Sequence, residues 1–518
     1  VGRYLNPILQ GCHPDPSLCR VRDEFFLVTS TFEYLPGLPV HVSRNLVDWR
    51  LIGHVIDRPG QLDLAGLPSS RGLFAPTIRH NGERFFVVCT VVGPDDGSWP
   101  SRAGHFLVTA VDAAGPWSDP VWIDGVEGID PSLTFDGDRV WLTYTRQAEP
   151  AEWPGQTDVW LTELDPEGFQ PVSDPVAIWG GALIGSVWAE GPHIVPRRGG
   201  GWMLVAAEGG TSREHAVCVA YADTIAGPYT GDPGNPRLTH RDLGRDAAVA
   251  SVGHADLVDD VDGRTWATVL ATRAVDGADG LLGRQTHLVP VEWQDARPVF
   301  SPRHGRVLLE NDVAGVPDQQ PRDRVFSADF VDAGPNAVPD AVLDPAWTGV
   351  ARHPGTFTDL GARAGRLRIF AGAEPTTQEP QSFLARRLPD ERTRVDVVLE
   401  VSPGSAVRGG VLLRTSETAH LELSIDGNGS ATCVLVASGT RTLLGSNRTI
   451  PGSHALELTV RDLRASARVD GVTLAETRLD GLIPDPGSGF VGAWVGVFAA
   501  GDADCHVDVE RVLLTALD

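Results

Sequence analysis

No CxxC pair occurs in this chain, and its six cysteines (Cys12, Cys19, Cys89, Cys218, Cys433 and Cys505) are scattered. That pattern, in a chain this long, reads as buried free thiols. Cys12, His13 and Cys19 form the one grouping that suggests zinc, and nothing else in the sequence supports it. Apolar runs of about 18 residues are missing, which removes a membrane-spanning helix. A basic stripe is missing too: 43 Lys and Arg stand against 68 Asp and Glu, for a formal net charge of −25. A nucleic-acid binder would show the opposite balance. An acidic surface is compatible with a neutral ligand such as a sugar. No signal-peptide pattern opens the chain. The expected location is the cytoplasm, with secretion left open because the chain begins at Val1 and holds one methionine, Met203. Strongly helical runs are few, whereas glycine (58) and proline (39) are abundant. Together these predict an all-β protein rich in turns, and its length is too great for one ordinary domain.

What is present is a repeat. GCHPDPSLCRVRDEFFLVTS (11–30), LFAPTIRHNGERFFVVCT (73–90), GIDPSLTFDGDRVWLTYT (128–145), AEGPHIVPRRGGGWMLVAA (189–207) and GHADLVDDVDGRTWATVLAT (253–272) share one plan. Each has a short apolar piece, a polar turn, then a strand with an aromatic near its start. The matching positions are 15, 75, 130, 190 and 254, spaced by 60, 55, 60 and 64 residues. Each interval holds about four short strands, the content of a propeller blade. The expected fold is therefore a five-bladed β-propeller over residues 1–307, the alternative being a β-sandwich with coincidental spacing. A polar, proline-bearing stretch at 308–325 reads as a linker. Alternating segments such as TRVDVVLEV (393–401) and HLELSIDGNGSATCVLVAS (420–438) predict a second, C-terminal β-sandwich domain over 326–518.

In a propeller the first strand of each blade lines the axis, so the matching positions converge. Four of them hold Asp15, Asp130, Glu190 and His254, and the fifth holds Ala75. Acids gathered at a closed centre are costly unless they have work to do. The prolines after Asp15 and Asp130 are expected to fix the backbone so that each carboxylate faces the pocket. Two carboxylates flanking a pocket suit glycoside hydrolysis, and a third can raise the proton donor's pKa by like-charge repulsion.

NPILQGCHPDPSLCR, TSTFEYLPGLPVHVSRNLVDW, AGPWSDPVW, GIDPSL, EGPHI, AAEGGT, GHADLV and LLGRQTHLVPVEW, in that order, resemble glycoside hydrolase family 43. The similarity is to its two-domain β-xylosidase and α-L-arabinofuranosidase branch, with a concanavalin-like (jelly-roll) sandwich behind the propeller. The resemblance implies an exo-acting, inverting hydrolase releasing D-xylose from non-reducing ends of xylo-oligosaccharides. The alternative is an α-L-arabinofuranosidase, or an enzyme with both activities on arabinose-decorated oligosaccharides. It implies Asp15 as general base, Asp130 as pKa modulator and Glu190 as general acid. Arg284 would reach the sugar and the acids, Phe32 would stack on the sugar, and Phe74, Trp188 and His254 would also wall the site. No cofactor is implied for the chemistry. Some members hold calcium through waters against the histidine at His254, although calcium prefers oxygen ligands. The sandwich is expected to close one side of the pocket with an aromatic, Trp494 being the candidate. A homo-oligomer is compatible with the branch, and neither a nucleic-acid nor a membrane partner is expected. A non-catalytic sugar-binding propeller would need at least one acid missing, and all three are present. The retaining, sucrose-cleaving propeller–sandwich family carries an Asn-Asp-Pro-Asn motif that is absent from this chain.

Overall fold

In the computed structural model, residues 1–275, 277–331, 343–485 and 488–518 are described. Five antiparallel sheets of four or five strands follow one another along the chain to residue 300, one for each repeat. Their inner strands are Ser17–Val21, Thr77–His80, Ile129–Asp136, Glu190–Pro196 and Val249–Asp259. This is the expected five-bladed propeller. The second strands read as nearly unbroken apolar runs, as in Phe85–Val92 (FFVVCTVV), because a neighbouring blade covers each face. Sandwich strands behave differently. Arg392–Val401 alternates buried and uncovered residues along its length, as a sheet with one solvated face should. Sheets of eight and six strands pack there over a core that includes Val397, Leu413 and Leu423.

The inner strands share a defect that matters for function. In blades three, four and five the ladder slips by one residue, between Ile129 and Ser132, Glu190 and His193, and Gly253 and Asp256. These are β-bulges, in which an extra residue re-aims a side chain. The extra residue is left-handed each time: Asp130 at φ 54°, Gly191 at φ 56°, His254 at φ 47°. Asp15 in blade one also lies at φ 53°. This corrects two expectations. The structural repeat in blade four falls on Gly191, not Glu190, so the glutamate enters the pocket from the preceding position of the bulge. In addition, a left-handed backbone, and not the extended conformation usual before proline, turns Asp15 and Asp130 inward. Proline's part is to supply no amide hydrogen where the ladder is interrupted.

Propeller and sandwich share a core. Tyr34–Leu35 pairs with Gly349–Val350, and Phe383, Leu412 and Phe498 join the same apolar cluster as Phe32 and Leu73. Residues expected to form a linker are tied down: Glu310–Val313 pairs with Gly2–Leu5, and Arg322 donates to the carbonyls of Leu5 (2.8 Å) and Pro7 (2.6 Å). The cysteines are free, five of them buried and Cys505 half-buried. Among the described residues no helix is long and apolar enough to cross a membrane.

Candidate active site

Asp15, Asp130, Glu190, His254, Phe32, Phe74, Trp188 and Arg284 all line one cavity of about 470 Å³ at the propeller axis. Every propeller residue that the sequence marks for the site reaches it. Cavities of about 610, 490 and 460 Å³ lie elsewhere, and the acids on their walls (Glu292, Asp312, Asp259, Asp323 and Asp344) are exposed.

Asp15 is held most tightly. Arg284 donates to both its oxygens, from Nη1 at 2.8 Å and Nη2 at 3.3 Å, and the Ser30 hydroxyl donates at 2.5 Å. A carboxylate so bonded is fixed in direction and kept as an acceptor. Asp130 accepts from the Gly191 amide at 3.0 Å, so the left-handed residue of one blade anchors the acid of the preceding one. Burial pushes Asp130 up to about 6, with Asp15 adding to the rise and His254 opposing it. Glu190 has no hydrogen-bond partner among the described residues, and its carboxyl opens on the cavity. Burial first, then the charges of Asp130 and Asp15, drive its pKa well above the usual carboxylate range, against a smaller lowering by Arg284. Three carboxyl groups within one pocket thus have three environments: ion-paired, amide-bonded and free.

Gly191 has a steric role as well. A Cβ there would sit 2.9 Å from both Cε1 and Nδ1 of His254, and the backbone is left-handed. Only glycine lets the histidine ring lie against this strand. His254 Nδ1 stands 3.9 Å from Asp15 Oδ1. Calcium prefers a shell of oxygen donors. The Asp15 oxygens are engaged by Arg284 and Ser30, and no set of three His, Cys, Asp or Glu side chains converges among the described residues. The residues present therefore do not fit a protein-built calcium site.

The aromatic wall is Phe32, Phe74 and Phe490, with ring centroids 5.2 to 6.0 Å apart. Arg284 lies over Phe32 at 5.4 Å and over Phe490 at 5.1 Å. Trp188 also lines the pocket and packs against Gly210, where a Cβ would come within 3.1 Å of its ring.

Phe490 is a site residue that the sequence motifs do not mark. The sandwich does close the pocket with an aromatic, but Trp494 is not that residue. Trp494 is 2% exposed and stacked on Tyr34 at 4.0 Å, deep between the domains. It belongs to the strand Trp494–Gly501 and faces the propeller beside the cavity without lining it, whereas Phe490 sits in the preceding loop and does line it. The GSGF sequence marks a loop four residues ahead of the tryptophan but not what that loop touches. Thr211, in the motif AAEGGT, is a second unmarked residue and stands 3.4 Å from Arg284 Nη1.

Comparison with known proteins gives a consistent picture. The description "Glycosyl hydrolases family 43" matches residues 4–298, and "Beta xylosidase C-terminal Concanavalin A-like domain" matches residues 339–512. A "Xylosidase/arabinosidase" of Butyrivibrio fibrisolvens is 39% identical over 81% of this chain and 79% of its own. A "Non-reducing end alpha-L-arabinofuranosidase" of Bacteroides ovatus is 32% identical over 98% of this chain and 93% of its own. Among solved structures, "Bacteroides ovatus Xyloglucan PUL GH43B" superposes with a TM-score of 0.89 at 30% identity, over 99% of this chain and 100% of its own. A "xylan beta-1,4-xylosidase from Bacillus Halodurans C-125" gives 0.88 at 26% identity, over 99% and 100% respectively.

Proposed function

The chain belongs to glycosyl hydrolases family 43, and from that membership and its three-acid pocket we propose an exo-acting β-D-xylosidase. The enzyme is a glycoside hydrolase for xylose- or arabinose-containing oligosaccharides, and it takes D-xylose from non-reducing ends. The observation that carries this reading is a Glu190 carboxyl, unpartnered among the described residues and with its pKa driven upward by burial, facing the same cavity as an oriented, ion-paired Asp15. Glu190 gives its proton to the glycosidic oxygen as the bond to the anomeric carbon breaks. Asp15 takes a proton from the water that attacks the opposite face of that carbon, so the first product has inverted configuration. Asp130 stays near Glu190 and keeps it protonated. Arg284 orients Asp15, and its Nη1 proton on the long 3.4 Å contact to Thr211 is the one free to turn to a sugar hydroxyl.

Exo action fits a pocket at the propeller axis that the sandwich walls on one side with Phe490 and that has a blocked floor. Below the pocket, Arg79 donates to Asp256 at 2.8 and 3.2 Å, Ser17 donates to Asp256 at 2.7 Å, and Arg79 contacts His193 at 3.0 Å. A polymer cannot thread through that plug. Xylose and arabinofuranose present similar hydroxyls, and the arabinofuranosidase name of one relative supports the second reading. Parallel assays on 4-nitrophenyl β-D-xyloside and α-L-arabinofuranoside separate the two, and NMR of the first product tests inversion. A protein inactive on both, or a retained product, overturns the proposal. We propose further that no metal is needed. Activity is expected to stay within about twofold after chelation, and a loss restored by calcium would refute this.

The pH profile supplies another test. A general acid works only while protonated, so activity falls on the alkaline side as Glu190 ionises. Asp130→Asn removes a negative charge beside it and lowers its pKa. The alkaline limb of kcat/KM is expected to move to lower pH in Asp130→Asn. An unmoved or raised limb would mean that Asp130 does not act through charge on Glu190.

A further inference from the structure

The sandwich touches the catalytic ion pair through a continuous line of buried and half-buried hydrogen bonds. Arg414, on the sandwich strand Val407–Ser416, donates from Nη1 to Glu33 Oε1 at 3.1 Å and from Nη2 to Ser69 Oγ at 2.8 Å. Glu33 accepts the Ser70 amide on its other oxygen at 3.1 Å. The Ser70 hydroxyl accepts the Phe490 amide at 2.9 Å. The Phe490 carbonyl then accepts from Arg284, Nε at 3.3 Å and Nη2 at 3.2 Å. Arg284 ends the line on both oxygens of Asp15.

We infer that Arg414, Glu33 and Ser70 are positioning residues for the hydrolysis, setting the direction of the Arg284–Asp15 pair through the backbone of Phe490. This rests on the function proposed above. An arginine side chain has many rotamers, and fixing it needs acceptors that are themselves fixed. Beyond Asp15 and the 3.4 Å contact to Thr211, the Phe490 carbonyl is the acceptor that holds Arg284. Phe490 lies in a loop, and loops hold a site less exactly than strands do. Ser70 bonds that loop from the propeller side. Ser70 is 6% exposed, lies at φ 65°, and is pinned by Glu33 in turn. The Glu33 and Arg414 side chains are 1% and 2% exposed, so solvent does not compete for the first link. Ser69 and Glu417 exchange bonds at 3.2 and 3.3 Å, clamping the same turn from the sandwich hairpin.

A chain of contacts is not by itself coupling, so the test is a double-mutant cycle in the full chain. Ser70→Ala removes the acceptor for Phe490 and leaves the Glu33–Arg414 pair in place. In the otherwise native enzyme it is expected to lower kcat/KM on a dinitrophenyl β-xyloside about tenfold, within the range of measured couplings. In an Arg284→Met background it is expected to change kcat/KM by less than about twofold, because its route to Asp15 is already cut. Equal factors in both backgrounds, or no effect in the native one, overturn the inference. A crystal structure of Ser70→Ala reads the same question without activity. Displacement of Arg284 from Asp15 supports the relay, and both bonds kept at native length overturn it. If the native enzyme is inactive on every glycoside offered, the proposed function falls, and that structure alone decides the relay.

Discussion

Glu190→Ala is expected to lose about 10²–10⁴-fold of its turnover on xylobiose, the usual worth of a general acid, and far less on a dinitrophenyl β-xyloside. Xylobiose leaves as a basic alkoxide and needs the proton, whereas an activated phenolate leaves with little help. Asp15→Ala should fail on both substrates, because the water it activates attacks whatever the leaving group is. The decisive quantity is the ratio of aryl-xyloside to xylobiose turnover in each variant. Its rise in Glu190→Ala alone assigns Glu190 as acid and Asp15 as base, and its rise in Asp15→Ala alone reverses them. The geometry makes the first outcome the expected one. Asp15 has its oxygens committed to Arg284 and Ser30, and Glu190 has no such partner among the described residues.

The second large effect concerns stability. Arg414→Met is expected to destabilise the protein by about 3–5 kcal/mol, because it strands a buried carboxylate instead of removing a pair. Glu33 loses its strongest favourable influence while burial continues to raise its pKa. The folded state then binds a proton that the unfolded state releases at neutral pH. The loss should therefore be greater at pH 8 than at pH 5. Thermal unfolding of native and variant chains at both values measures it. A deficit that shrinks as pH rises, or the same deficit when Glu33 is also replaced by an apolar residue, would contradict this account.

Much of the molecule is legible in the chain. Five in-phase repeats give the propeller, because each blade must present the same polar turn and strand to the axis. HPDPS, GIDPS and EGPH mark the three acids. Less accessible is the register of the third. Pro192 follows Gly191 as Pro131 follows Asp130, so the offset is present in the sequence. Only a bulge, which is a property of the ladder and not of residue type, makes Gly191 the true equivalent. The Phe490 contact depends on how two domains meet, and no local pattern encodes that. The bonds through Glu33, Ser70 and Arg414 are invisible for the same reason: each residue is ordinary in its own segment, and the sandwich brings them together. Trp494 stands out by its size, yet the alternation of its strand assigns it to the domain contact.

The plug of Arg79, Asp256, Ser17 and His193 imposes an order on departure. With one mouth, the innermost sugar is the last to leave. The shortened chain must diffuse away before xylose can follow, and no chain stays bound for a second cut. Each turnover begins from free enzyme and a fresh encounter. Xylose is therefore expected to compete directly with substrate, and the shortened chain to inhibit by rebinding over retained xylose.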